Sequence, residues 1–274
     1  MSSPAPARRY SGTMASSSET LLNKPHADSS LDEADRKDET YIDPESLEEL
    51  PLAPGMSRTD NMLRWGFIRK VYGIISAQLL LTVITCSVVL FSPPVLQFTR
   101  TNVPFQLVFF LGPLLGLIPL YLYQRQHPLN LILLGAWTTM ISVTVAVAVS
   151  FYPAKIVLEA VALTTSIVLG LTAYTFRAVK KGKDFSMMGP FLFSGLIALV
   201  MWSFIQVFVP VAPIVQSVFA LLGAVLFSAY IVYDTESLIK RYDLDQYIWA
   251  SVHLYLDIIN LFLELMRLLN GGRN

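Results

Sequence analysis

From Phe67 to Leu269 the chain is a succession of apolar runs, each close to the length that crosses a bilayer. A spanning helix needs about 20 largely apolar residues. The runs predict helices over 67–91, 104–123, 129–149, 154–176, 187–208, 211–241 and 246–269. The expected fold class is therefore all-α, a polytopic membrane protein of about seven transmembrane helices. The low share of charged residues, 15%, fits this, because an average soluble protein has about 25%. The last helix is the exception, since it holds Asp257 and Glu264, and the pattern leaves open whether it spans or re-enters.

The zero net charge conceals a division. Residues 1–60 carry six Lys/Arg and twelve Asp/Glu, whereas residues 61–274 carry fourteen and eight. Residues 1–62 have no hydrophobic periodicity and are rich in Ser, Pro, Asp and Glu, so they cannot bury enough apolar surface to offset chain entropy. They are expected to form a disordered acidic cytosolic tail ahead of a transmembrane domain over 63–274. Arg8-Arg9-Tyr10-Ser11 has the form of a basophilic kinase site. The acid-free first eighteen residues faintly resemble a mitochondrial leader. With the single cysteine Cys86 no intrachain disulfide can form, and three scattered His have no zinc-binding spacing. No cofactor and no nucleic-acid partner are expected.

Gly112 and Gly116 have a close-packing spacing, and Pro113 and Pro119 predict kinks that neighbouring helices must satisfy. With the N-terminus in the cytosol, that side collects Arg58, Arg64, Arg69, Lys70, Arg125, Arg177, Lys180, Lys181, Lys183, Lys240 and Arg241. The other side has Arg100 and Lys155. The excess of basic residues on inner loops predicts this orientation.

An ionisable side chain inside a bilayer costs about 2.5–3.5 kcal/mol or more unless it faces the bundle interior and finds a partner. Asp234 lies seven residues before Arg241, roughly 10 Å from the cytosolic end of its helix, and Asp257 lies eleven residues after Gln246, roughly 16 Å in. In an antiparallel hairpin these depths meet. Two carboxylates that close cannot both ionise cheaply and hold a shared proton. The alternative is that each is capped separately by a hydroxyl or a base. They are read as the only two acids close in depth, and as oxygen ligands for a passing Ca²⁺.

Other charged positions have two readings each. His253 shares a helix face with Asp257 and either couples to it or is a core or interfacial histidine. Glu159 is either interfacial or lines the far mouth of a cation path. Glu264 and Arg267, three apart, form a local pair. Arg125, in the short connection between the second and third helices, either approaches the aspartates from the cytosol or snorkels.

Tyr233-Asp234 together with Leu254-Tyr255-Leu256-Asp257-Ile258-Ile259-Asn260-Leu261-Phe262 resembles the C-terminal hallmark of the transmembrane Bax-inhibitor-motif family. His127-Pro128-Leu129-Asn130-Leu131, Leu158-Glu159-Ala160, Thr164-Thr165 and Lys183-Asp184-Phe185 resemble its lifeguard branch, here read as a fungal-type member. The resemblance, over about residues 62–269, implies a seven-helix intracellular membrane protein that moderates cell death and stress. It also implies a pH-sensitive calcium leak closed by a carboxylate pair, at Asp234 and Asp257, and an arginine latch near Arg125. The implied partners are the lipid bilayer, calcium ions and other membrane cell-death regulators. The implied location is the endoplasmic reticulum, with vacuolar, Golgi or mitochondrial membranes as alternatives. The lysine-rich C-terminal tail of acid-responsive Bax inhibitors has no counterpart in Asn270-Gly271-Gly272-Arg273-Asn274, which leaves the aspartate pair as the expected sensor.

Two other classes compete. An intramembrane aspartyl protease also places a Tyr-Asp and a second Asp on neighbouring helices, but its second aspartate follows a Gly-x-Gly turn, which is missing before Asp257. A non-conducting scaffold that acts through lipid or protein contacts is compatible with every residue above.

Overall fold

The computed structural model describes residues 51–209 and 211–271. The expectations for the acidic tail up to residue 50, including the kinase-type site at Arg8-Arg9-Tyr10-Ser11, fall outside the described residues. Those residues form α1 (Arg58–Phe91), α2 (Pro93–Thr101), α3 (Val103–Leu122), α4 (Leu129–Val149), α5 (Ala154–Lys180), α6 (Gly189–Phe208), α7 (Pro213–Lys240) and α8 (Tyr247–Gly271), with a short 3₁₀ turn at Ser186–Met188 before α6. No strand occurs among them. Six helices (α1, α3, α4, α5, α6 and α7) are long and apolar enough to cross a membrane.

Two departures from the expected boundaries have local causes. Helix α1 starts nine residues before Phe67, because Ser57 caps it: its Oγ accepts from the Asp60 N–H at 3.1 Å and donates to the Asp60 carboxylate at 2.6 Å. Residues just ahead of that cap already belong to the fold, with Leu52 and Ala53 buried and the Leu52 N–H donating to Asn61 Oδ1. Helix α2 was unforeseen. Pro93 and Pro94 fill its first two positions, where no N–H is needed, and Asn102 then both ends α2 and caps α3 through the Phe105 N–H.

The bundle is arranged for an apolar solvent. Large side chains on its outside are exposed, among them Phe110, Leu115, Leu169, Phe191 and Phe208. A soluble protein rarely exposes so much contiguous apolar surface, and here it is the face toward lipid. Polar groups are turned inward. Gln78 and Thr82 of α1 bond Thr138 and Ser142 of α4, and Thr82 shares a 2.8 Å hydrogen bond with Tyr255 of α8. At Pro113 of α3 the freed carbonyl finds a partner on a neighbouring helix. Pro113 has no N–H for the Phe109 carbonyl, and Thr144 of α4 donates to that oxygen at 2.6 Å. Trp137 donates to the Pro113 carbonyl, and the same ring would meet a Cβ at Gly116 at 3.0 Å. The glycine pair thus brings α3 against α4, the packing role read for it.

Helix α8 is the most enclosed, packing against α7, α5, α1 and α4. It runs the length of the bundle: it begins beside the end of α7, and its last turns share a cavity with Tyr152 and Pro213 at the opposite ends of α5 and α7. Its polar residues therefore face other helices. At the end where α8 begins, Arg64 of α1 donates to the Tyr242 carbonyl and Lys240 donates to the Lys183 carbonyl. This ties the start of α1, the α5–α6 loop and the α7–α8 turn into one face. It is the same set of segments that collects the basic residues.

Candidate functional site

The α7–α8 pair carries the candidate site. Asp234 lies six residues before the end of α7 and Asp257 ten residues into α8. Both are buried, and their carboxyl groups face each other within hydrogen-bonding reach across the seam. Asp257 Oδ2 is fully enclosed and meets no donor among the described residues. Two carboxyl groups in this arrangement satisfy one another only when a proton sits between them.

The surroundings of the pair come from both helices and the turn between them. His253 Nδ1 stands 3.8 Å from Asp234 Oδ2 and 3.2 Å from the Tyr242 hydroxyl. The histidine thus approaches the aspartate of the neighbouring helix, Asp234, and it is half-exposed near the α7–α8 turn. Tyr230 of α7 lies beside both carboxyl groups on the inner side, and Arg241 adds a positive charge from the end of α7.

A third buried acid corrects the reading of Asp234 and Asp257 as the only acids at this depth. Glu236, two residues beyond Asp234, has a side chain that is 0% exposed. It is fully paired: Lys240 Nζ at 3.0 Å, Arg241 Nη2 at 2.5 Å and the Phe185 backbone N–H at 3.0 Å. Arg241 also donates to Ser186 and lies over the Tyr233 ring. In the same loop, the Ser186 hydroxyl and N–H hold the Asp184 carboxylate down to about 2, which fixes the turn that presents Phe185 to Glu236. The available signal was the Glu236–Lys240 spacing of four, which looks like an exposed helix pair until the loop is known to cover it.

Comparison with known proteins decides the family. Residues 64–274 match the family described as "Inhibitor of apoptosis-promoting Bax1". A BI1-like protein of Arabidopsis thaliana is 49% identical over 256 residues, 92% of this chain and 100% of that protein. The chain belongs to the Bax inhibitor family. Its lifeguard-like branch is supported by Protein LIFEGUARD 4 of Arabidopsis thaliana, 48% identical over 213 residues, 77% of this chain and 86% of the relative. The Golgi anti-apoptotic protein of vaccinia virus is 40% identical over 207 residues, 76% of this chain and 86% of the relative. Plant and viral relatives do not bear on the fungal-type reading.

In this Bax inhibitor the remaining expected residues lie away from the pair. Arg125 is not drawn to the aspartates: its Nε is 3.3 Å from Asp245 Oδ2, and its side chain is 70% exposed. It sits in the connection beyond α3, at the rim of the bundle, where the turn leading into α8 offers a nearer carboxylate. An exposed pair of this kind contributes at most about 1 kcal/mol. Arg125→Ala is therefore expected to leave the response of the pair to pH in place, and titrating flux in the variant would detect any change. Glu159 lies half-buried in the second turn of α5, toward the end opposite the aspartates. Glu264 pairs with Arg267 at 3.0 Å, as its spacing predicted.

Proposed function

We propose that this Bax inhibitor is a pH-sensitive calcium leak of an intracellular membrane, with the endoplasmic reticulum as its site. Through that leak it moderates calcium homeostasis, the stress response and programmed cell death. The observation that carries the reading is the facing of Asp234 and Asp257 in the enclosed seam between α7 and α8. With a proton shared between them the pair carries a single negative charge and the seam is closed. When both ionise, mutual repulsion loosens the seam and supplies the carboxylate oxygens that a Ca²⁺ ion favours. Among the described residues no three His, Cys, Asp or Glu side chains gather into a metal-holding cluster. A calcium ion at the pair is, in this reading, a passing ion.

The vaccinia relative, named as a Golgi anti-apoptotic protein, supports both an internal membrane and a role in cell death. Helix α8 is unbroken from Tyr247 to Gly271, which argues against a protease, because no backbone is opened for a substrate. The test is purified protein in calcium-free vesicles with a trapped calcium dye. Calcium entry that rises from acid to neutral pH is the expected result. Absence of protein-dependent entry at every pH would overturn the leak and favour a scaffold that acts on other cell-death regulators through contact.

A further inference from the structure

The seam that holds the aspartates continues across the bundle. On α8 the residues His253, Asp257, Asn260, Glu264 and Arg267 recur at steps of four and three, so they form one stripe along the helix. Helix α7 faces that stripe in antiparallel order. Asp234 meets Asp257, Gly223 meets Glu264, and Ser217 meets Gly271. Glu264 lies seven residues beyond Asp257, about 10 Å farther along the axis. It opens on a cavity of ≈ 400 Å³ between α6, α7 and α8 at the end opposite the cytosolic face.

We propose that Glu264 is a divalent-cation site at the far mouth of the same path, and that Arg267 competes with the cation for its carboxylate. The inference rests on the leak reading above. Glu264 is one of the residues that line this cavity. A Cβ at position 223 would stand 2.9 Å from Glu264 Cγ, so α7 gives up a side chain where the glutamate lies against it. Ser203, Gln206, Gln216 and Asn270, whose side chains carry neutral oxygens, line the same cavity. Calcium takes six to eight oxygen ligands with loose geometry, and an amide and hydroxyl lining with one carboxylate is a weak, exchangeable set. A path that conducts needs sites of that kind, strong enough to admit the ion and weak enough to release it. Glu264 and Arg267 are the charged residues of the lining. Arg267 is half-exposed at 3.0 Å from Glu264 Oε1, so its guanidinium can leave the carboxylate when a cation arrives. Tyr230 of α7 lies in sequence between Gly223, which meets Glu264, and Asp234.

Two readouts test this. In vesicles, the ratio of calcium to potassium flux is measured for wild type, Glu264→Gln, Arg267→Gln and the double variant. Glu264→Gln is expected to lower the ratio several-fold and Arg267→Gln to raise it. The double variant should follow Glu264→Gln, because Arg267 acts through that carboxylate. The pH midpoint, set by Asp234 and Asp257, should stay in place in all four. Equal ratios, in vesicles where calcium flux still responds to pH, would reduce the pair to a helix-end contact and overturn the proposal while leaving the leak intact.

The second readout does not depend on flux. Tb³⁺, a luminescent substitute for Ca²⁺, is excited by a nearby tryptophan, and Trp202 lines this cavity. Titrated into detergent-solubilised protein, Tb³⁺ should give an emission component that Trp202→Phe removes and Glu264→Gln also removes. A Trp202-dependent emission that persists in Glu264→Gln, or no such component in wild type, would place no cation at Glu264 whatever the flux shows.

Discussion

Asp257→Asn is expected to abolish the pH dependence of calcium flux while leaving the fold intact. Asparagine keeps the shape of the side chain and its amide can donate to Asp234, so the enclosed oxygen that lacks a donor in the native protein gains a fixed partner. The seam then has no shared proton to lose. The sign follows from the pair. In wild type, flux is expected to be low in acid, where a proton bridges the carboxyl groups, and to rise as pH increases and both ionise. The groups facing the pair oppose or assist this without replacing it: Arg241 adds positive charge near Asp234, the His253 ring stands 3.8 Å from its carboxylate, and Tyr230 and Tyr242 are hydroxyl-bearing neighbours. Flux against pH in reconstituted vesicles measures the effect, and a variant with the full wild-type profile would remove Asp257 from the mechanism.

Glu236→Ala is expected to have the largest effect on stability. Its carboxylate is wholly enclosed and holds Lys240, Arg241 and the Phe185 N–H at once. Breaking a buried charge pair by removing one partner costs about 3–5 kcal/mol. The lower figure applies here, since Lys240 and Arg241 are partly exposed and can turn to solvent, whereas the Phe185 N–H cannot. For a domain of this size that is a fall of about 6–12 °C in apparent unfolding temperature. Lys240→Met and Arg241→Met should each cost less, because the other cation remains. Thermal unfolding in detergent gives the comparison. A shift for Glu236→Ala no larger than that of either cation variant would mean that the loop is held by other contacts.

The seven long helices and the aspartate pair were legible in the sequence because their signals are strong. Apolar runs of twenty residues have few alternatives in a bilayer, and an acid in such a run must find a partner inside the bundle. What escaped was set by contacts between segments far apart in sequence. Helix α2 is nine residues long and opens on two prolines, a pattern that reads as a loop. The true start of α1 depends on a cap in a charged, polar stretch where periodicity is weak. Glu236 has no signal of burial in the sequence beyond its spacing of four from Lys240, and the α5–α6 loop folded over it makes it a buried anchor. Arg125 has two readings in the sequence, approach to the pair or an interfacial arginine, and its partner, Asp245, lies in a turn whose direction the sequence does not encode locally. His253 shares a face with Asp257, yet the antiparallel crossing of α7 and α8 brings it to Asp234.

The central claim is that Asp234 and Asp257 act as one unit, and a double-substitution cycle tests it most directly. The ratio of calcium flux at neutral pH to that in acid is measured in vesicles for wild type, Asp234→Asn, Asp257→Asn and the variant with both. Groups that share a proton are strongly non-additive, so each single substitution should remove nearly all of the pH-dependent ratio and the second should remove almost nothing more. Two partial losses whose logarithms sum to the loss in the double variant would show two independent carboxylates and contradict the account.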